Sequence, residues 1–254
     1  GAGVCFAVNA ASYIAVLAGL LMMRPQEFHS VERRAQARTL YIGLKEGLSF
    51  ARRHEQIRLM LLLTFVVSTF CLNFNVLLPV LAKLTLHSGP QVFGLLSAVF
   101  GVGALIGALV SAHVGRATVG MTAVGSAGFA LCELLIAPLR TTALIALLLF
   151  LGGLCFTTWS SNSSSLIQLA SPDHLRGRLI GIYFFAFAGT GTAGGILSGW
   201  LTAAGGTELA FAVAGIAGMS VAYFLSQEDR QVAVIATPAS TVSASAWHIA
   251  SVPS

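Results

Sequence analysis

The sequence predicts an all-α membrane protein, a polytopic bundle of about seven transmembrane helices. Apolar residues make up 56% of its 254 residues and charged residues only 9%, whereas soluble proteins carry about 25% charged residues. The mean hydropathy is +0.84. The charges are clustered, and long uncharged stretches separate the clusters. A soluble protein of this size needs more charge on its surface, so the expected environment is the lipid bilayer.

A bilayer core about 30 Å thick requires about 20 apolar residues of helix. Seven stretches reach or approach that length, and only the fourth contains a charged residue, Glu133. They are Val4–Met23, Leu59–Leu81, Val92–Val114, Val119–Leu139, Ala143–Leu169, Leu179–Ala204 and Leu209–Leu225. These stretches are too long for barrel strands and do not alternate between apolar and polar residues, so a barrel is excluded.

The basic residues predict the orientation of the helices. Lys83 and Arg140 are the only two of the 14 Lys and Arg residues that fall on one side of the predicted membrane. The others are Arg24, Arg33, Arg34, Arg38, Lys45, Arg52, Arg53, Arg58, Arg116, Arg176, Arg178 and Arg230. Because basic connections stay in the cytoplasm, we expect the N-terminus outside and the C-terminus in the cytoplasm.

The pattern divides the chain into four segments. They are a transmembrane helix over 1–23, a cytoplasmic linker over 24–58, a six-helix unit over 59–225 and a disordered cytoplasmic tail over 226–254. The tail is assigned from its Ser, Ala, Thr and Val content and two prolines. Within the linker, one apolar stripe predicts an interfacial helix on the inner leaflet over 38–53. The stripe consists of Leu40, Tyr41, Leu44 and Leu48.

The six-helix unit contains two similar triplets of spans, 59–139 and 143–225. The middle span of each carries small residues at every fourth position, which let a neighbouring helix approach closely. The stripes are Gly103, Gly107 and Ser111 in the first triplet and Gly191, Gly195 and Gly199 in the second. Corresponding spans are three apart and cross in opposite directions, as in the inverted repeats of secondary transporters. Chance packing of small residues is the alternative.

The sequence carries no motif for catalysis, metal binding or nucleotide binding. The four cysteines form no CxxC pair, and the histidines lack HExxH spacing. The glycine-rich stretch 101–107 lacks the Lys-Ser/Thr ending of a phosphate-binding loop. The net charge of +5 is not arranged as a basic face with interleaved aromatic residues. We therefore expect no enzyme, no cofactor and no nucleic-acid partner.

Three stretches resemble bacterial exporters of the major facilitator superfamily, in the branch that includes enterobactin and macrolide exporters. They are LKEGLSFARRHEQIRLM (44–60), FGLLSAVFGVGALIGALV (93–110) and SNSSSLIQLASPDHLRGRLIGIY (161–183). The third is the most specific, because it is similar to the N…LxQ…PDxLRGR run between the tenth and eleventh helices of the family. One departure is the connection after the eighth helix, HVGRATVG, which keeps only Arg116 of a basic signature.

The resemblance covers about residues 1–225 and implies helices six to twelve of a twelve-helix fold. It implies that an N-terminal half is missing from this sequence, and the start at Gly1 without a basic segment agrees with that expectation. It also implies export of a small-molecule substrate, of a drug or siderophore-like kind, by alternating access and proton antiport. A seven-helix receptor or a membrane assembly subunit without transport is the rival interpretation.

In the family, the leading helices of the two triplets line the central cavity. The candidate cavity residues of this chain are Asn73, Asn75, Trp159, Asn162, Gln168 and, on the following helix, Tyr183. Their polar groups are expected to hydrogen-bond a substrate, and the rings of Trp159 and Tyr183 to stack on an aromatic one. Hydrogen bonding between helices is the alternative, worth about 0.6 kcal/mol for each bond.

Glu133 is the candidate for proton coupling, since an ionisable residue within a span is by default a functional hypothesis. It lies about 14 residues from the inner end of its helix, or about 21 Å deep at 1.5 Å per residue. The alternative is that Glu133 reaches the outer interface and pairs with Arg140.

The loop with Asp173, Arg176 and Arg178 is the candidate gate at the cytoplasmic face. An Asp at the start of a helix favours its positive dipole end. Two arginines two residues apart point to different sides of a helix, so we expect them to bind different partners. A generic basic loop that only sets topology is the alternative.

Overall fold

The computed structural model describes residues 2–22 and 40–236. In chain order its helices are α1 (Ala2–Met22), α2 (Leu40–Arg53), α3 (Glu55–Phe70), α4 (Phe74–Val80), α5 (Pro90–Val114), α6 (Val119–Ile136), α7 (Thr142–Ala170), α8 (Arg176–Ala188) and α9 (Gly191–Ala236). A π-helical turn, Leu81–Thr85, continues α4. Within these ranges no residue forms a strand. The prediction of an all-α fold is therefore confirmed.

Two units make up the chain. The first, Gly1–Thr39, contains α1, an uncharged helix of 21 residues. The second begins at Leu40 and contains α2 to α9, which pack into one bundle with two apolar cores. The pocket and the buried carboxyl described below both belong to the second unit.

Four helical stretches of the described residues are long and apolar enough to cross a membrane. They are Pro90–Val114, Val119–Ile136, Thr142–Ala170 and Arg176–Phe224, and shorter apolar stretches cover Phe6–Met22 and Val76–Thr85. These findings fit a membrane bundle but do not confirm a count of seven spans. The predicted second span is split at residues 71–73. The predicted sixth and seventh spans fall within Arg176–Phe224, and the non-helical backbone of Gly205 and Gly206 separates them.

Glycines bring α5, α6 and α7 into backbone contact. The position of an added Cβ at Gly103 falls on the carbonyl oxygen of Phe150, and at Gly107 it lies 2.5 Å from that of Leu154. Gly125 on α6 faces the backbone of α7 in the same way, with an added Cβ 2.8 Å from the nitrogen of Trp159. The close approach predicted for the first glycine stripe is confirmed, because only hydrogen fits at these positions.

The second predicted stripe on α9 does not make such a contact. An added Cβ at Gly191 or Gly199 meets no atom within 4 Å, and at Gly195 it meets only side-chain atoms at 3.9 Å or more. The close approach falls instead on Gly194, which lies against Asn73 and the Thr69 carbonyl. Gly194 and Gly195 are adjacent on this helix, so they belong to two neighbouring small-residue stripes. Contact with α3 selects the stripe that contains Gly194.

The predicted second span is interrupted at residues 71–73, between α3 and α4. The Asn73 side chain donates to the Thr69 carbonyl at 2.5 Å, so it takes the acceptor that the next helical turn would have used. Further along, Pro79 lies inside α4 and the π-helical turn follows it. Proline supplies no backbone N–H, so it removes the helical hydrogen bond to the carbonyl four residues before it.

A second interruption separates α8 from α9 at residues 189–190. The Ser68 hydroxyl of α3 donates to the Phe187 carbonyl near the end of α8, and the Thr190 hydroxyl donates to Ala186 at 3.0 Å. Both interruptions thus lie side by side, and side chains satisfy the carbonyls that they leave open. A third irregularity occurs within α9, where Gly206 has a φ of 73°, a left-handed conformation that favours glycine.

The C-terminal end of the bundle differs from the predicted segments. Helix α9 continues to Ala236, so residues 226–236 of the predicted tail are helical, and 237–254 lie outside the described residues. No Gly or Pro interrupts residues 226–236, which explains the continuation. Helix α2 lies within the predicted interfacial segment, and its Leu44 and Leu48 are exposed. Its position on the inner leaflet stays a prediction.

Candidate functional site

A polar pocket lies between the last turns of α5 and α7 and the connection that leads to α6. It has a volume of about 480 Å³, within the usual range for small-molecule sites. Its polar lining residues are Ser111, Arg116, Ser161, Asn162, Ser165 and Gln168. We call it the Arg116 pocket, and its end of the bundle the Arg116 end.

Local structure explains how Arg116 reaches this pocket. Helix α5 ends at Gly115, whose φ of 61° turns the chain away from the helix axis. Thr118 then caps α6 by accepting a hydrogen bond from the Met121 backbone at 3.1 Å. Arg116 is therefore held in a two-helix turn at the pocket. Among the described residues it has neither an ion pair nor a hydrogen bond.

Two of the predicted cavity residues, Asn162 and Gln168, line the Arg116 pocket. Asn73 does not, since it is buried between α3 and α9 beside Gly194. Its amide donates to the Thr69 carbonyl one turn earlier in the same segment. The side chain of Asn75 lies outside the described residues.

Trp159 and Tyr183 lie in an aromatic cluster rather than on an open surface. Both side chains are fully buried, and both rings stack on Phe187 with centroids 5.9 Å apart. The Tyr183 hydroxyl donates to the Ser160 carbonyl at 3.2 Å. In this arrangement neither ring is available to stack on a substrate. Their apolar area is buried between α7 and α8 because these helices pack directly against each other.

Glu133 lies inside the bundle on α6. It is 2% exposed, and neither carboxyl oxygen has a hydrogen-bond partner among the described residues. The Cys71 thiol lies beside it but donates to the Ala214 carbonyl at 3.3 Å. Pairing of Glu133 with Arg140 is wrong, because Arg140 forms an ion pair with Glu208 at 2.8 Å. An unpartnered buried carboxyl is costly, which makes Glu133 the strongest candidate for a functional acid.

The candidate gate consists of two separate ion pairs at the Arg116 end. Arg176 pairs with Asp173 at 2.9 Å and donates through Nε to the Gln168 carbonyl at 3.3 Å. Arg178 pairs with Glu46 on α2. The two arginines thus bind different partners, as their spacing predicts. Glu46 was not recognised as a site residue from the sequence, because nothing in a linear pattern places α2 beside α8.

Close packing at two glycines of α2 supports the Arg178–Glu46 contact. An added Cβ at Gly43 lies 3.2 Å from the Arg178 Nε, and at Gly47 it lies 3.0 Å from Ile182. The repeat Gly43–Gly47–Ala51 forms the buried side of α2. The GxxxG spacing in the linker is the signal that predicts such a contact surface.

The opposite end of the bundle, which we call the Arg140 end, is connected by side chains. Besides the Arg140–Glu208 ion pair, the hydroxyls of Thr85 and Thr207 lie 2.6 Å apart. Three connections meet there, from α4 to α5, from α6 to α7 and within α9. A smaller pocket of about 360 Å³ also lies there, and its lining includes His87.

Helices of this length and apolar composition define a polytopic membrane protein, and its pocket and buried carboxyl lie between those helices. The chain belongs to the transmembrane secretion effector family of the major facilitator superfamily, whose family model matches residues 1–251. The resemblance drawn from the sequence is therefore confirmed.

A curated relative agrees with this assignment. The chain is 25% identical over 209 residues to the multidrug efflux pump Tap of Mycolicibacterium fortuitum. The match covers 80% of this chain and 50% of the pump, so the chain spans about half the length of the curated relative it matches. No solved structure matches the chain.

Proposed function

We propose that this chain is the C-terminal part of a small-molecule exporter that works by alternating access and proton antiport. The observation that carries the proposal is the Arg116 pocket, a polar cavity between apolar helices of a chain in the secretion effector family. Polar groups at membrane depth require a partner or a water-filled cavity. A substrate path at this pocket supplies both.

In this proposal the transport unit includes further helices that cover the open faces of the bundle. The match to only half of the efflux pump supports this. So does the exposure of Gly191 and Gly199, which have no neighbour within 4 Å and leave room for close approach of another helix. The C-terminus faces the cytoplasm, because the Arg116 end carries the excess of basic residues.

Glu133 carries the coupled proton in this mechanism. Glu133 belongs to α6, and its carboxyl lies beside the interruption at residues 71–73 and beside α9. This is the place where the bundle is least regular. Movement at the interruption changes the surroundings of the carboxyl, and with them its tendency to hold a proton. Asp173, Arg176 and Arg178 form the gate. It opens when their present ion pairs break and the side chains bind other partners.

Transport in proteoliposomes tests the proposal. The full-length protein is reconstituted with an imposed pH gradient, and export of a panel of drug-like dyes and siderophores is followed. We expect gradient-driven export, and we expect Glu133→Gln to abolish its dependence on the gradient. The control is Glu55→Gln, which removes an exposed carboxylate paired only with Arg58 among the described residues.

Two other outcomes would contradict parts of this proposal. Gradient-driven export that is unchanged in Glu133→Gln would assign coupling to another group. A protein that binds members of the panel but transports none would favour the receptor interpretation over the exporter.

A further inference from the structure

The charge of the Arg116 pocket is not balanced. Arg176 and Arg178 at the same end each pair with a carboxylate, as do Arg58 and Arg140 elsewhere. Arg116 has no such partner among the described residues, as is also true of Lys45, Arg52, Arg53 and Lys83. Of these five residues only Arg116 lines this pocket, and no Asp or Glu lines it. Arg116 is an exposed residue at the edge of this open pocket, and the planar set of donors of its guanidinium suits carboxylate and phosphate groups.

Neutral donors accompany this charge. The Ser111 hydroxyl is buried at the pocket and has no hydrogen-bond partner among the described residues. Ser165 and Gln168 add further hydroxyl and amide groups to the lining. An anion bound to Arg116 gives the Ser111 hydroxyl an acceptor, so one ligand group would satisfy both side chains.

Helix dipoles do not reverse this preference. The pocket lies where α5 and α7 end and where α6 begins. Helix ends carry about half an elementary charge each, negative at the C-terminus and positive at the N-terminus. The two C-terminal ends and the one N-terminal end partly cancel, so the full positive charge of Arg116 outweighs what remains of them.

We propose that the Arg116 pocket binds the anionic group of the exported molecule, a carboxylate, sulfate or phosphate. The inference rests on the function proposed above and adds the substrate class. The pocket selects for molecules that carry such a group and against molecules whose only charge is positive.

Two dyes with the same xanthene skeleton test this selectivity. Fluorescein is anionic and rhodamine 123 is cationic, and binding of each to the purified full-length protein is measured by fluorescence polarisation in nanodiscs of phosphatidylcholine. We expect fluorescein to bind more tightly. Arg116→Gln should weaken fluorescein binding about tenfold or more, the range for a charge-assisted hydrogen bond, and should leave rhodamine 123 binding within about twofold.

Further variants separate charge from folding. Arg116→Lys keeps the charge without the planar donors and should restore part of the affinity. Ser111→Ala should weaken fluorescein binding by a smaller factor. Arg58→Gln, at an exposed ion pair on α3, is the matched control and should change neither dye. Equal effects of Arg116→Gln on both dyes, or no saturable fluorescein binding to the unmodified protein, would overturn the proposal.

A lipid headgroup could supply the same anionic chemistry, and a second lipid composition distinguishes it from a substrate. In nanodiscs that contain phosphatidylglycerol, a substrate site should keep its Arg116-dependent fluorescein binding. Loss of that binding only when the anionic lipid is present would assign the pocket to lipid and overturn the proposal. Selective binding in nanodiscs, combined with no export of any panel member from the proteoliposomes described above, would refute the exporter and leave the anion preference standing.

Discussion

Two groups of helices in this bundle are held together in different ways. Helices α5, α6 and α7 are continuous and pack backbone against backbone at glycines. Helices α3–α4 and α8–α9 are interrupted side by side, and the hydroxyl of Ser68 and the amide of Asn73 satisfy carbonyls at the interruptions. The first group resists deformation because its contacts involve backbone atoms that helical hydrogen bonds hold in place. The second can bend at points where few helical hydrogen bonds are present to break.

The largest expected loss of stability comes from adding a methyl group where the continuous helices α5 and α7 meet. In Gly103→Ala the new Cβ overlaps the Phe150 carbonyl oxygen, and neither backbone can rotate away. We expect α5 and α7 to separate, at a cost of about 3 kcal/mol, and most of the protein to be lost from the monodisperse peak in size-exclusion chromatography.

Gly101→Ala is the matched control for this prediction. It lies on the same helix, and its added Cβ meets no atom within 4 Å. Alanine is the better helix former by about 1 kcal/mol, so this variant should be as stable as the parent or slightly more stable. Equal losses for the two variants would show that helix propensity, not backbone contact, controls the result.

The contrast between continuous and interrupted helices also explains which features could be predicted from the sequence. Continuous helices and the Gly103–Gly107 contact follow from hydropathy and residue spacing, which depend on one helix at a time. The interruption at residues 71–73 does not, because Cys71 and Leu72 are apolar and leave the hydropathy of the span unchanged. It depends on contacts with α9, at Gly194 and Ala214, that are distant in sequence.

The candidate site shows the same limit. Glu133 is prominent in the sequence as the one charged residue within a span. Its burial without a partner depends on α3 and α9, so the sequence also allowed an interfacial pair with Arg140. Trp159 and Asn162 lie on one helix only three residues apart. One is inside an aromatic cluster and the other lines the pocket, a difference that only the neighbouring helices determine.

A methyl group at the interruptions should have an intermediate effect. In Gly194→Ala the new Cβ collides with the Asn73 amide and the Thr69 carbonyl. The amide can swing aside, and the Thr69 carbonyl lies beside the interruption at residues 71–73, where the backbone can shift. We therefore expect a cost of about 2 kcal/mol, measured as a lower thermal unfolding temperature of the purified protein. Gly199→Ala on the same helix meets no atom within 4 Å and is the control. A loss at Gly194 as large as that at Gly103 would show that both groups are equally rigid.

The smallest effect is expected from removing a single hydrogen bond across the two interruptions. Ser68→Ala leaves the partly buried Phe187 carbonyl without its donor, which costs about 1 kcal/mol, at the low end for an unsatisfied group. Hydrogen exchange should show faster exchange of backbone amides around residues 187–194. Ser220→Ala is the control, because that exposed hydroxyl donates within its own helix to Ile216 at 2.8 Å. If both variants change exchange equally, the Ser68 contact does not hold the two interruptions together, and the glycine contact at Gly194 alone must do so.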